Sequence, residues 1–348
     1  MGTPLQEAFA KQTLLSCTGY DPGFINKSAG IGLEKILPAT AKKLLPRVEG
    51  NKQGILHYTG LSVLYNSVRR VPFLAAYNID GSSKKAVKRT GFRADPRIDK
   101  NIQLSQDGFY DLMQGFTEFE IGHMAANNEM AWGKQAQFQS YQTFHFPNSV
   151  PQAENLNTGI WKTLETYIID ETATIKNNAR ICVFTGPLLR DKDPGYIKDP
   201  SFKIPLMFYK VIVFTGPKGL YATAFMMSHE QKMIEQGMFV PAARPGMRGI
   251  EEVQPAFSDF PYKKVFQVNV EFVEEQTGLS FKWKGVKRLV VPNVKNLLQK
   301  IGSIKNVGDA KEAAGLTRGI TETQLTSGDD LTDAEIKNKD FKLNIILP

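Results

Sequence analysis

The chain has four histidines, and His123 lies in the run EIGHMAANNEMAWG (120–133). An imidazole is the side chain best placed to take a proton near neutral pH. Downstream, TFHFPNSVPQAENLNTGIWKTLE (143–165) puts amides, a Pro-Gln pair and a helix start into one run. Asn157 stands at that helix start. Glu165 follows eight residues on, about two turns up roughly the same face. One histidine, one amide oxygen and one carboxylate could therefore converge. Such a set suits metal-assisted phosphodiester cleavage. A hard cation such as Mg²⁺ takes oxygen ligands and keeps most of its waters, so one or two protein ligands suffice. A neutral histidine takes the proton of an attacking water, the cation stabilises charge on the phosphate, and a nearby arginine clamps it. On spacing alone, however, the plainer reading is the stronger: a core histidine, an N-cap and a solvated helix glutamate.

The pattern over residues 122–165 resembles the signature of the DNA/RNA non-specific endonuclease family, the ββα-metal (His-Me finger) nucleases that include endonuclease G. That signature runs Asp-Arg-Gly-His, Thr-Phe, Asn, Pro-Gln, Leu-Asn, then Trp with Leu-Glu. Gly122, His123, Thr143, Phe144, Asn148, Pro151, Gln152, Leu156, Asn157, Trp161, Leu164 and Glu165 match it in order. HYTGLSVLYNSVRRVPFLAAYNIDG is similar to the family's opening hairpin, KRTGFRADPRI to its basic loop, and VFTGPLL, KIPLMFYKVIV and EQTGL to its second half. GYDPGF resembles the lead-in of a bacterial subgroup. The resemblance covers about 20–280.

The resemblance implies roles. His123 is the general base. Asn157 is the sole direct protein ligand of the metal, Mg²⁺ or Mn²⁺, and Glu165 acts on that metal through water. Arg89 best matches the phosphate-contacting arginine of the basic loop, with Arg93 as the fallback. Lys88 joins the substrate-binding stretch, and Asn148 is a supporting amide at the substrate. DNA and RNA are the implied substrates. A homodimer and an inhibitor or regulatory partner are implied as further partners. One departure stands out. Where the family has Asp-Arg before Gly-His, this chain has Glu120 and Ile121. Losing one charge-assisted contact costs about 1.5–3 kcal/mol, or roughly 10- to 150-fold in rate. Lys134, Arg93 and Arg97 are candidates to supply the missing charge.

These residues need a scaffold. In ILHYTGLSVLYNSVRRVPFLAAYNIDGSS (55–83) two apolar, β-rich runs flank NSVRR and read as a β-hairpin, with a turn signal at Asp80-Gly81. Residues 157–176 read as a helix. ARICVFTGP, KIPLMFYKVIVF (203–214) and LYATAFMM (220–227) read as strands. Residues 262–279 combine a strand with a helix that stops at Gly278. NVKNLLQKIG (293–302) reads as an amphipathic helix. GIGLEK, FTGPKGL and DKDPG lack the context of a nucleotide or calcium loop and read as turns. Strands and helices alternate without a βαβ rhythm. The expected class is α+β, a central antiparallel β-sheet flanked by helices. The expected parts are an arm (1–52), the nuclease domain (53–285) and a C-terminal extension (286–348).

The net charge of +8 is a mild bias toward polyanions. Two cysteines imply no disulfide framework. No apolar run approaches membrane-spanning length, so no membrane partner is expected. MGTPLQEAFAKQ has no secretory pattern, which points to the cytoplasm by default, with export left open. Two rivals stay open: a weakened relative that binds nucleic acid or a partner because of Ile121, and a phosphodiesterase of short substrates.

Overall fold

The computed structural model describes residues 2–113, 119–153, 164–165, 168, 179–238, 265–290 and 322–323. Its strands are β1 (Leu56–Tyr58), β2 (Leu61–Asn66), β3 (Val71–Asp80), β4 (Phe119–His123), β5 (Ser149–Ala153), β6 (Arg180–Pro187), β7 (Gly195–Tyr196), β8 (Asp199–Lys203), β9 (Met207–Gly216), β10 (Gly219–Ser228), β11 (Val265–Val268), β12 (Val286–Arg288) and β13 (Glu322–Thr323). Among the described residues the main sheet has nine strands in the order β1-β2-β3-β6-β9-β10-β11-β13, with β12 beside β10. Its pairs are antiparallel apart from β10–β12. The α+β class with a central antiparallel sheet is as expected.

The sequence explains the central strands. In β3, β6, β9 and β10 the residues alternate between two apolar clusters, one on each side of the sheet. Tyr77, Val183, Phe208 and Ile212 face one cluster; Ala76, Phe184, Tyr209 and Val211 face the other. A strand buried on both faces reads as an unbroken apolar run. The β2–β3 hairpin closes within NSVRR, as expected. Asn66 Oδ1 accepts hydrogen bonds from the backbone N–H groups of Val68 and Arg69, and Arg70 takes φ +56°. The helix Val270–Thr277 ends as expected at Gly278, whose φ of +69° is the left-handed cap that glycine tolerates best.

Helices are short: α1 (Pro4–Phe9), α2 (Lys11–Leu15), α3 (Ala39–Lys42), α4 (Ala136–Gln142), α5 (Glu230–Glu235) and α6 (Val270–Thr277). The arm wraps the sheet. Tyr20, Ile31, Ile36 and Leu37 join α6 in the cluster on the second face. Tyr20 N–H donates to Ser62 Oγ and Asp21 N–H to Asn78 Oδ1, 2.9 and 2.8 Å. The helix expected over 157–176 lies outside the described residues except for Leu164 and Glu165, which are helical, and Ile168. The helix expected over 293–302 lies outside them too. Cys17 and Cys182 are free thiols. No helix among the described residues is long and apolar enough to cross a membrane.

Candidate active site

The first face of the sheet carries a separate hairpin. β4 pairs antiparallel with β5, His123 opposite Ser149 and Glu120 opposite Gln152. Alternation puts Ile121 and His123 on one face of this hairpin. Gly122 lies between them because the Gln152 side chain crosses its backbone; a Cβ there would meet Gln152 Oε1 at 1.9 Å. The chain after His123 is clasped by Asn148. Asn148 Oδ1 accepts from Ala125 N–H, and its Nδ2 donates to the carbonyls of Ala125 and Thr143, 2.9–3.0 Å.

His123 is 7% exposed. Its ring lies 4.5 Å from that of Phe92 and 4.6 Å from that of Phe144, centroid to centroid. Its Nε2 is buried with no hydrogen-bond partner. Burial, and then the positive charge of Arg89, lowers its pKa to about 3. The imidazole is thus neutral at any ordinary pH.

The basic loop is zipped to this centre through its backbone. Arg93 N–H donates to the Phe144 carbonyl, and Phe146 N–H donates back to that of Arg93, 2.9 and 3.0 Å. This pairing carries Phe92 onto His123. The Arg89 guanidinium lies 5.8 Å from the centre of the Phe144 ring, so Arg89 and His123 share one aromatic neighbour. Lys88 is exposed, and its backbone is fixed by both amide atoms of Gln137. The Arg93 guanidinium stacks on Phe9 of α1 at 4.7 Å.

Arg97 corrects an expectation. It was a candidate for the charge missing at position 121. It is instead buried, 5% exposed. Its Nη2 meets Asp95 at 2.7 Å, and its Nη1 donates to the carbonyls of Leu14 and His57. Asp95 also accepts from Tyr58 Oη. Arg97 ties the arm to the sheet, with four of its five side-chain N–H groups engaged inside the protein and its guanidinium buried away from a substrate surface. Lys134 and Arg93 are exposed.

Asn157 lies outside the described residues. Glu165 is described, and sequence reasoning missed its neighbours. Lys210 Nζ, on β9, stands 3.4 Å from Glu165 Oε1, 2.8 Å from Glu129 Oε1 and 3.2 Å from Tyr77 Oη. Tyr77 Oη donates to Glu129 Oε2 at 2.6 Å, and Ala126 N–H donates to the same oxygen. The signal was present as the one charge inside the apolar run PLMFYKVIVF. Two other histidines bond to backbone groups. His229 accepts from Ala153 N–H at Nδ1, so its Nε2 carries the proton and donates to the Pro205 carbonyl. His145 is fully buried and bonded to the Gln142 carbonyl through Nδ1.

Among the described residues no three His, Cys, Asp or Glu side chains cluster as a metal cage. The chemistry present fits a hard divalent cation held largely by water: the Glu165 carboxylate, beside a loop that carries a neutral imidazole.

With this geometry in view, comparison with known proteins is informative. A family model described as DNA/RNA non-specific endonuclease matches residues 45–288. The mitochondrial nuclease EXOG of Xenopus laevis is 25% identical over 306 residues, covering 82% of this chain and 78% of its own length. Human mitochondrial nuclease EXOG is 24% identical over 239 residues, 64% of this chain and 55% of that protein. The crystal structure of the EndoG/EndoGI complex aligns with a TM-score of 0.45 and 24% identity over 65% of this chain and 84% of that one.

Proposed function

The chain belongs to the DNA/RNA non-specific endonuclease family, whose members are divalent-metal-dependent nucleases, and from that premise we propose that His123 is the general base of a sugar-non-specific phosphodiester hydrolysis. One observation carries this reading: the buried, neutral, unpaired Nε2 of His123, with Arg89 close enough to depress its pKa.

The mechanism follows from those two residues. The neutral His123 imidazole accepts the proton of the attacking water. In the free protein the base is weak, since each pKa unit below 6.5 costs about 1.4 kcal/mol on protonation. A phosphodiester anion held against Arg89 offsets both causes of that weakness. It neutralises the guanidinium and adds a negative charge beside the forming imidazolium. Proton transfer is therefore favoured when substrate is present. Asn157 would hold the cation, Mg²⁺ or Mn²⁺, directly and Glu165 through water. When bound, the cation supplies charge stabilisation at the phosphate and the leaving oxygen.

Lys88 and Arg93 extend the positive surface for the nucleic-acid backbone, so binding should weaken with salt and ignore base sequence. Asn148 is better read as the clasp of the loop after His123 than as a substrate contact, because both its N–H groups are already used. Such a nuclease reads no bases and needs control, and we assign that role to a homodimer or a protein inhibitor. A second reading, a weakened relative that binds nucleic acid without cutting it, is favoured by Ile121, which packs against the apolar cluster and offers no charge.

Supercoiled plasmid and RNA, incubated with the protein and Mg²⁺ with and without EDTA, decide between them. The nuclease reading expects metal-dependent nicking of both substrates and none by His123→Ala. Binding without cleavage across a wide metal and salt range supports the second reading. Equal cleavage by His123→Ala removes His123 as the base.

A further inference from the structure

Lys210 sits where a charge is costly. It lies on β9, an interior strand, between Thr185 of β6 and Phe225 of β10. It shares its face with Phe208 and Ile212 and is 0% exposed. A buried ion pair is often no more stable than apolar residues of the same volume. Stability therefore gives no reason for a lysine rather than a methionine here, and its partners give another reason.

Glu129 is fixed by three donors: Lys210 Nζ, Tyr77 Oη and the N–H of Ala126. Ala126 is three residues after His123 and belongs to the loop that Asn148 clasps. The same Nζ reaches Glu165 Oε1 at 3.4 Å, a longer contact than the 2.8 Å to Glu129. The loop of the base and the helix of the carboxylate therefore meet on one ammonium. Of the two carboxylates Glu165 is the more loosely held and the more exposed, its side chain 13% exposed.

We propose that Lys210, held by Glu129 and Tyr77, is a positioning residue that sets the Glu165 carboxylate relative to the His123 loop for its work at the metal. This rests on the reading of Glu165 given above. Residues that orient a metal's ligands typically change affinity or activity by about 10–100-fold when lost.

The test uses the full chain, with Mg²⁺ alone as the probe, in isothermal titration calorimetry. Lys210→Met should weaken Mg²⁺ binding by about 10–100-fold. Its kcat should fall by a similar factor while KM for plasmid holds, and Lys210→Arg should recover most of both. In a Glu165→Gln background, Lys210→Met should add no further loss of Mg²⁺ affinity. Wild-type affinity and kcat in a Lys210→Met protein that merely melts earlier would overturn the proposal, as would additive losses in the Glu165→Gln background. If Lys210→Met does not fold, Glu129→Gln carries the test. It removes the charge that holds Lys210 Nζ at 2.8 Å, so Glu165 loses its fixed position and Mg²⁺ binding should weaken; unchanged binding counts against the proposal. The cycle is read on metal affinity, so it decides the role of Lys210 even where wild type cleaves nothing, a result that would remove the catalytic reading only.

Discussion

The His123 ring stands edge-on to that of Phe144, at 89° between planes and 4.6 Å between centroids. Phe144 therefore helps keep water from the imidazole, and burial is the larger cause of its depressed pKa. Phe144→Leu should admit water and raise the His123 pKa from about 3 toward 6.5. NMR titration of the ring protons reads this directly. The acid limb of kcat/KM, which reports the free enzyme, should move up with it. A wild-type His123 that titrates near 6.5 would sink this account.

Stability should fall on the acid side, and the sign can be worked out. The folded pKa values of His123 and His229, about 3 and about 4, lie below the unfolded value near 6.5. Between those limits the unfolded chain binds protons that the native protein refuses. Stability from these groups is complete above about pH 6.5 and is lost as pH falls toward the folded values. Each such proton contributes a slope of about 1.4 kcal/mol per pH unit. Burial lowers His57 and His145 in the same direction. Urea midpoints should drop steeply below pH 6.5. His123→Asn should reduce the slope by about one proton; an unchanged slope would mean His123 is protonated in the native state.

Arg89 and Arg97 should separate activity from stability. Arg89 is exposed, so Arg89→Ala should lower kcat/KM by roughly 10- to 150-fold and leave the melting midpoint near wild type. It should also reduce the salt dependence of DNA binding by about one phosphate contact. Arg97→Ala strands Asp95, which is 1% exposed. Breaking such a buried pair costs about 3–5 kcal/mol, which thermal unfolding by circular dichroism will register. If Arg97→Ala keeps its midpoint but loses activity, the assignment of the two arginines is reversed.

Those two arginines also show what the sequence could and could not reveal. Both lie in KRTGFRADPRI, and a linear reading gives them the same basic loop. What distinguishes them is contact with distant residues: Leu14 and His57 for one, Phe144 for the other. The strands were legible because alternation between two apolar faces is a local property. The stop at Gly278 was legible because a left-handed cap is local too. The candidate base was legible through the ordered matches from Gly122 to Glu165. Lys210 was not, because a lysine in an apolar run looks like an exception until Glu129 and Glu165 are seen to converge on it. The packing of the arm over the second face was missed in detail for the same reason, since its partners, such as Asn78 and α6, lie far along the chain.

Restoring the family's arginine at position 121 is the sharpest test of the site. Ile121 shares a face with His123 and is half-buried against the apolar cluster. An arginine stem can lie along that surface while its guanidinium reaches outward. Ile121→Arg should therefore fold, at a cost of about 1 kcal/mol. If no other residue supplies the missing charge, kcat/KM should rise by roughly 10- to 150-fold, the reverse of the expected loss. If Arg89 already serves the same phosphate, the gain should be small in wild type and large in an Arg89→Ala background, because contacts to one group are not additive. Plasmid-nicking rates for the two single variants and the double variant distinguish these cases. A folded Ile121→Arg with no gain in either background would mean that the phosphate does not lie on the Ile121–His123 face, and the position of the substrate would have to be redrawn.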